Sequence, residues 1–160
     1  MKLISTLFLR IVIIVFSAGI LALCIFALPS LYTGGSQEFP TASRSLVAIM
    51  IILYATLIPY AIAVRQTFKL LKAIDQKHAF SDGCVEALRN IKYCAIAITV
   101  LYVTAVPLLI PIADADDAPG LILMGMTIAA APLVVAVLSA ILERLLHDAI
   151  TFKTENDLTV

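Results

Sequence analysis

The chain has 160 residues, of which 62% are hydrophobic and 14% are charged, and its formal net charge is zero. An ordinary soluble domain carries about 25% charged residues, so this composition argues against a soluble globular protein. At this length, a membrane domain leaves no room for a separate soluble domain of useful size.

Four apolar stretches that contain no charged residue account for most of the chain. A helix of about 20 residues spans a hydrocarbon core roughly 30 Å thick. In lipid, a backbone satisfies its own hydrogen bonds only as a helix or in a closed barrel. The residues do not alternate with period two, so the sequence predicts an all-α integral membrane four-helix bundle. It forms a single domain, residues 1–160, with spans at residues 11–28, 46–64, 93–112 and 121–141.

The first span also has features of a secretory signal peptide, since Lys2 and Arg10 precede an apolar core. That core is longer than the usual 7–15 residues of a signal sequence, and no clear A-x-A cleavage site follows it. We therefore expect a membrane helix here.

The positions of the basic residues predict the orientation. Only Arg44 lies in the two loops that follow the first and third spans, and the other ten of the eleven Lys and Arg residues fall on the opposite side. The positive-inside rule assigns that side to the cytoplasm. We therefore expect a multi-pass protein of the cell membrane with both termini in the cytoplasm.

Helices are also predicted beyond three of the spans. Residues 65–92 are expected to form a cytoplasmic helical hairpin in which Ser81 caps the second helix, and residues 142–160 an amphipathic helix with a tail. Two i,i+4 pairs, Glu143–His147 and Arg144–Asp148, are expected in the second of these segments. Each extension has an apolar stripe along one face. These stripes either pack together beneath the bundle or lie flat on the membrane, and we expect them to pack together.

The two outer connections predict little chemistry. Residues 29–45 are expected to form a loop and residues 113–120 a tight turn. The three carboxylates of that turn lack the spacing of a calcium loop, so a solvated turn is favoured over a cation site. Prolines in the spans are interpreted as tolerated bends rather than hinges: Pro59, Pro107, Pro111 and Pro132.

Residues with catalytic potential are scarce. No Asp, Glu, Lys, Arg or His lies within a span, which argues against a proton-coupled transporter. The hydroxyl groups of the spans are expected to bond to helical carbonyl groups or neighbouring helices. The chain has no nucleophile motif, phosphate loop or metal-ligand spacing. We therefore expect no enzymatic activity, no cofactor, no metal and no direct binding of nucleic acid.

Two short motifs resemble a known bacterial family. Phe68-Lys69-Leu70-Leu71, followed by Ala79-Phe80-Ser81 and a helix with Val85, Leu88 and Ile91, resembles the cytoplasmic hairpin of the four-span proteins classified as domain of unknown function 2975. The ending at residues 155–160 is similar to that of the family. The resemblance implies the same architecture, and it suggests a partner, because family members are commonly encoded beside a small Cro-type helix-turn-helix regulator.

Two classes of function remain open. The first is a non-enzymatic regulator or scaffold in the lipid bilayer that binds a cytoplasmic partner, such as that helix-turn-helix transcription factor. The second is a small pore, transporter or stress-protective protein that acts as a homo-oligomer; a wet cavity lined by Tyr54, Thr56, Tyr60, Thr99 and Tyr102 would favour it. For the first class, the predicted docking residues are Phe80, Ser81, Glu155, Asn156, Asp157, Leu158 and Thr159; they could equally cap a helix and close the bundle.

Overall fold

A computed structural model describes residues 2–38, 43–76 and 81–157 of the chain, and these residues are helical apart from short turns. The long helices are α1 (Lys2–Glu38), α2 (Ser43–Asp75), α3 (Asp82–Ala105) and α5 (Gly120–Asp157). A 3₁₀ segment (Val106–Leu109) and a short helix α4 (Ile110–Ala115) extend α3. Four helical stretches are long and apolar enough to cross a membrane: Leu7–Phe26, Ser43–Asp75, Asp82–Ala115 and Gly120–Glu155.

Helix α1 is longer than expected. It continues through Pro29 to Glu38, so the prediction of a loop over residues 29–45 is wrong for residues 29–38. A proline cannot donate to the carbonyl four residues before it, here that of Ile25, but long membrane helices tolerate this loss. One turn after Pro29, the Thr33 hydroxyl donates to the carbonyl oxygens of Pro29 and Ser30 at 3.2 and 3.0 Å.

The prolines differ in their effect on the backbone. Pro59 and Pro132 lie inside the unbroken helices α2 and α5. Pro107, in contrast, lies where α3 gives way to the 3₁₀ segment, and Pro111 lies in the first turn of α4. A proline cannot donate the i→i−4 hydrogen bond, and two of them one turn apart change the helix type.

The connection between α4 and α5 is shorter than predicted. Helix α4 continues to Ala115 and α5 begins at Gly120, so the turn has four residues, 116–119, rather than eight. Asp117 has a φ of 49°, and the amide of Ala118 bonds to the carbonyl of Ala113 at 2.9 Å. This geometry is the Schellman ending of a helix. The described residues contain no group of three or more His, Cys, Asp or Glu side chains that could hold a metal ion.

The long helices pack as an open row in chain order. Helix α1 packs on α2, α2 on α3, and α3 on α5. Within the described ranges, α1 makes no extensive interface with α3 or α5. Small residues are buried along the row, among them Ala95, Ala129 and Ala136. They allow the backbones to approach closely, which is how membrane helices associate.

Most large apolar side chains of the spans are exposed on the surface of this row. In water such a surface would be unstable, but in hydrocarbon it is the expected exterior, because lipid tails are as apolar as leucine. The fold therefore agrees with the composition: an all-helical membrane protein with four candidate spans.

Candidate functional site

A cluster of three charged side chains joins α3 to α5. Arg89 donates from Nε to Oε1 of Glu143 at 2.8 Å, and Lys92 donates from Nζ to Oε2 at 2.6 Å. We call these three residues the triad. The Glu143 side chain is 13% exposed, that of Lys92 22%, and that of Arg89 56%. One carboxylate thus bonds to two cations and fixes the register of the two helices.

The two cations hold Glu143 in its charged form. The hydrogen bond from Lys92, and next that from Arg89, lower the pKa of Glu143 below its usual range. The same hydrogen bond raises the pKa of Arg89. All three residues lie outside the charge-free stretches at residues 93–112 and 121–141, so the triad is placed at the edge of the hydrocarbon and not within it.

An ion pair at the same end of the row joins the other two helices. Arg10 of α1 donates from Nη2 to Oδ2 of Asp75, the last residue of α2, at 2.8 Å. Asp75 interrupts the apolar stripe of its helix, and its pairing with Arg10 explains why a carboxylate lies there. Ion pairs therefore connect α1 to α2 and α3 to α5 at this end, which we call the charged end.

A cleft of about 300 Å³ opens at the charged end between α3 and α5. We call it the charged cleft. Arg144 and His147 lie on its α5 wall with exposed side chains. Within the described part of the chain, Arg144 forms no ion pair, and Glu143 pairs across to α3. The expected pairs Glu143–His147 and Arg144–Asp148 are therefore not formed, because α3 brings cations closer to Glu143. The lining residues are Val85, Arg89, Lys92, Ala140, Glu143, Arg144 and His147.

A second cavity, of about 440 Å³, lies between the same two helices within the spans. We call it the apolar groove. Apart from the Thr99 hydroxyl, its lining side chains are hydrocarbon or thioether. The Thr99 hydroxyl donates to the carbonyl of Ala95 at 2.8 Å. The lining residues are Thr99, Val103, Val106, Pro107, Met126, Ala129, Ala130 and Leu133.

Three of the other hydroxyl groups named for the proposed pore have partners. Tyr54 donates to the carbonyl of Cys24 at 3.2 Å, and the Tyr60 and Ser17 hydroxyls lie 3.2 Å apart. Thr56 donates to Leu53 of its own helix at 2.6 Å. These bonds follow the expectation that hydroxyls in the spans join helices or cap local carbonyl groups.

The helical extensions beyond the spans differ in how far their apolar faces are covered. Leu71 of α2 is buried, as are Cys84 and Leu88 of α3, so these two extensions pack together. The apolar stripe of α5 includes Leu145 and Phe152. Leu145 is exposed, and Phe152 is 70% exposed. Helix α5 is unbroken from its span to Asp157, and among the described residues no helix covers that stripe.

Those predicted docking residues that the structure describes lie at the start of α3 and on the last turn of α5. Ser81 occupies the N-cap position of α3, as predicted, but its hydroxyl makes no bond to the backbone; it lies 3.5 Å from Sγ of Cys84. Glu155 is exposed on the last turn of α5, where the backbone of Asn156 and Asp157 is also helical. Three predicted positions lie outside the described residues: Phe80, Leu158 and Thr159.

Reasoning from the sequence missed the triad, although a signal for it was present. Lys92 is the last cation before the third span, and Glu143 is the first carboxylate after the fourth. In antiparallel neighbours, two residues at the same membrane edge lie at the same height, and this predicts a contact. The same signal was present for the Arg10–Asp75 pair, because the sequence predicts that both residues lie on the cytoplasmic side of the membrane.

Comparison with known proteins agrees with this architecture. The family described as "Protein of unknown function (DUF2975)" matches residues 30–160. The chain belongs to the DUF2975 family. This confirms the resemblance inferred from the hairpin and from the ending. The family match contains α2, α3 and α5, and with them the triad and both cavities.

A relative of the chain is also described as a membrane protein. The "Uncharacterized membrane protein YoaS" of Bacillus subtilis (strain 168) is 45% identical over 156 residues, which cover 98% of each chain. No solved structure matches the chain. The DUF2975 protein is thus a membrane protein with four candidate spans and a relative of the same length and kind.

Proposed function

We propose that this DUF2975 protein is a non-enzymatic membrane regulator or scaffold whose charged end binds a cytoplasmic protein. The observation that carries the proposal is the exposed apolar stripe of α5. Phe152 lies 11 residues past the end of the charge-free stretch, about 16 Å along the helix axis. At that distance it is beyond lipid, and exposed apolar surface in water is typical of an interaction site.

The ion pairs support this proposal by holding the helices in register. A docking surface made of several helices binds with less loss of conformational entropy when these helices are fixed before binding. The triad fixes α5 against α3, and the Arg10–Asp75 pair fixes α2 against α1. The docking surface that we propose combines the apolar stripe of α5 with the docking residues predicted from the sequence, Phe80-Ser81 and residues 155–159.

The partner that we propose is a small helix-turn-helix transcription factor. Such a protein is cytoplasmic, so the charged end has to face the cytoplasm, and the asymmetry of basic residues supports this orientation. Gln76→Cys and Asp117→Cys, each in a background without the native cysteines, test it. A maleimide that cannot cross the membrane should label Asp117→Cys in intact cells and Gln76→Cys only after lysis. The reverse pattern would exclude a cytoplasmic partner.

The proposal is tested by co-purification of a small Cro-type helix-turn-helix regulator, co-expressed with the tagged membrane protein. Phe152→Ala combined with Leu145→Ala should reduce the recovered regulator about tenfold, as expected for central interface residues. Phe26→Ala is the matched control, because Phe26 is 77% exposed but lies within the first span. The amount of each variant in the membrane is measured in parallel.

Two results would contradict the proposal. The first is equal recovery of the regulator with the double variant and with Phe26→Ala. The second is a loss of recovery that only follows a loss of the membrane protein itself. Removal of residues 155–160 tests the tail separately: if the abundance of the protein collapses, the tail closes the helical row and does not bind a partner.

A further inference from the structure

We propose that the charged cleft and the apolar groove together bind one anionic phospholipid. The phosphate of the headgroup lies in the cleft against Arg89, Lys92 and Arg144, and one acyl chain follows the groove between α3 and α5. This inference does not depend on the proposed protein partner.

The cleft has the charge and the donors that a phosphate needs. Its lining contains two arginines, one lysine and one carboxylate, Glu143, so basic side chains outnumber acidic ones. Arg89 bonds to Glu143 only through Nε, which leaves its two terminal nitrogens to donate to a second acceptor. Arg144 is exposed, and its planar guanidinium matches a phosphate in geometry. Glu143 holds Arg89 and Lys92 in place before the ligand arrives.

The groove lies in line with the cleft on the same faces of the two helices. On α3, Val85, Lys92 and Thr99 follow one another at intervals of seven residues, which is close to two helical turns. On α5, Leu133, Ala140 and His147 repeat the same spacing. Each series has members in both cavities, so a molecule that extends along the helices from the cleft enters the groove.

The depths of the two cavities match those of a phospholipid. From Lys92 to Thr99, or from Ala140 to Leu133, is about 10 Å along the helix axis. A headgroup region is roughly 5 to 8 Å thick on each side of a bilayer. A phosphate at the level of Lys92 therefore places the start of the groove inside the hydrocarbon, where an acyl chain lies. The groove lining is apolar, as such a chain requires.

The experiment uses the full-length protein in detergent micelles, with binding measured by native mass spectrometry and by the rise in unfolding temperature. The probes are dioleoyl phosphatidylglycerol, dioleoyl phosphatidylcholine and inorganic phosphate. Phosphatidylglycerol should bind about tenfold more tightly than phosphatidylcholine, the difference expected for one charge-assisted hydrogen bond.

Two variants separate the two parts of the site. Arg144→Gln should remove most of the preference for phosphatidylglycerol, and it breaks no ion pair. Lys153→Gln, on the same helix but outside the cleft, is the matched control and should leave the preference unchanged. Ala130→Trp adds a large side chain at an exposed groove position and should weaken phosphatidylglycerol binding without changing the unfolding temperature in the absence of lipid.

Three outcomes would overturn the proposal. Equal binding of phosphatidylglycerol and phosphatidylcholine would show that the basic residues of the cleft do not contribute to lipid binding. Equal effects of Arg144→Gln and Lys153→Gln would mean that the attraction is spread over the surface and not located in the cleft. If inorganic phosphate binds as tightly as phosphatidylglycerol and Ala130→Trp has no effect, the cleft is a site for free anions and the groove takes no part.

Discussion

The interface between α1 and α2 and the interface between α3 and α5 are built from different residues. The first is held by tyrosine hydroxyls and one exposed ion pair, Arg10–Asp75, and Cys24 is the buried residue of α1 among those described. The second packs small residues, Ala129 and Ala136, and has the triad at its end.

This difference indicates where the fold is most strongly specified. Small residues let two helices approach closely along their whole length, and dispersion forces then act over many atoms. Hydrogen bonds between membrane helices contribute less, about 0.6 kcal/mol on average. We therefore expect the α3–α5 interface to resist unfolding and α1 to separate first.

The largest effect is expected from overpacking the α3–α5 interface. Ala136→Leu places a large side chain at a position that is 3% exposed, and overpacking typically costs about 1–3 kcal/mol. Thermal unfolding in detergent measures the loss. Ala131→Leu, at an exposed position of the same helix, is the control and should be nearly neutral. Equal unfolding temperatures for the two variants would show that this interface is not closely packed.

A smaller effect is expected at the triad. Glu143→Gln removes the carboxylate shared by two cations, and with discounting for solvent the loss of stability should be about 1 kcal/mol. The wild-type pKa of Glu143 is lowered in the folded protein. The contribution of the Glu143 carboxylate to folding stability is therefore complete above the ordinary glutamate pKa of about 4.3. It falls as the pH drops through the pKa of Glu143 in the folded protein.

The pH dependence is checked by measuring unfolding of wild type and Glu143→Gln across acidic buffers. The stability difference should be constant from neutral pH to about pH 5 and shrink below the ordinary glutamate pKa. A difference that grew on acidification would mean that the carboxylate destabilises the folded protein.

At the α1–α2 interface, Tyr54→Phe should cost about 0.6 kcal/mol, since it deletes one hydrogen bond between membrane helices. Tyr102→Phe is the matched control, because the Tyr102 hydroxyl has no hydrogen bond within the described residues. Protease accessibility of α1, measured beside thermal unfolding, should rise for Tyr54→Phe alone. Equal behaviour of the two variants would show that the Tyr54 hydroxyl does not stabilise this interface.

The smallest effect is expected for Arg10→Gln. The Arg10 side chain is 40% exposed, and exposed ion pairs contribute roughly 0–1 kcal/mol. High salt should abolish the difference from wild type, because screening acts strongly on exposed charges. A large effect that persists in high salt would show that this end of α1 is more buried than the structure indicates.

The charge-free stretches predicted the helices well because lipid leaves a backbone few alternatives. The ends of the helices were predicted less well. Pro29 and the residues after it were interpreted as a loop, but α1 continues through Pro29 to Glu38. Conversely, Asp114 was placed in a turn although α4 includes it. The turn preferences of single residues have little effect on where a helix ends when these residues adjoin a long helix.

The charged end required the arrangement of the helices as well as the sequence. The i,i+4 rule pairs Glu143 with His147, but it considers one helix alone. Once α3 lies beside α5, two stronger donors compete for the same carboxylate. The open row had the same effect on the α5 stripe: an amphipathic pattern predicts a buried face, but only the order of the helices decides whether anything covers it.

Helix α5 is unbroken from Gly120 to Asp157, so its 38 residues form a rod of about 57 Å, nearly twice the thickness of the hydrocarbon. Such a rod acts as a lever. A tilt of about 10° in the membrane, within the range that bilayer thickness imposes, would displace its far tip by roughly 10 Å. A small change in tilt would therefore move the last turn of α5 by about the width of a helix.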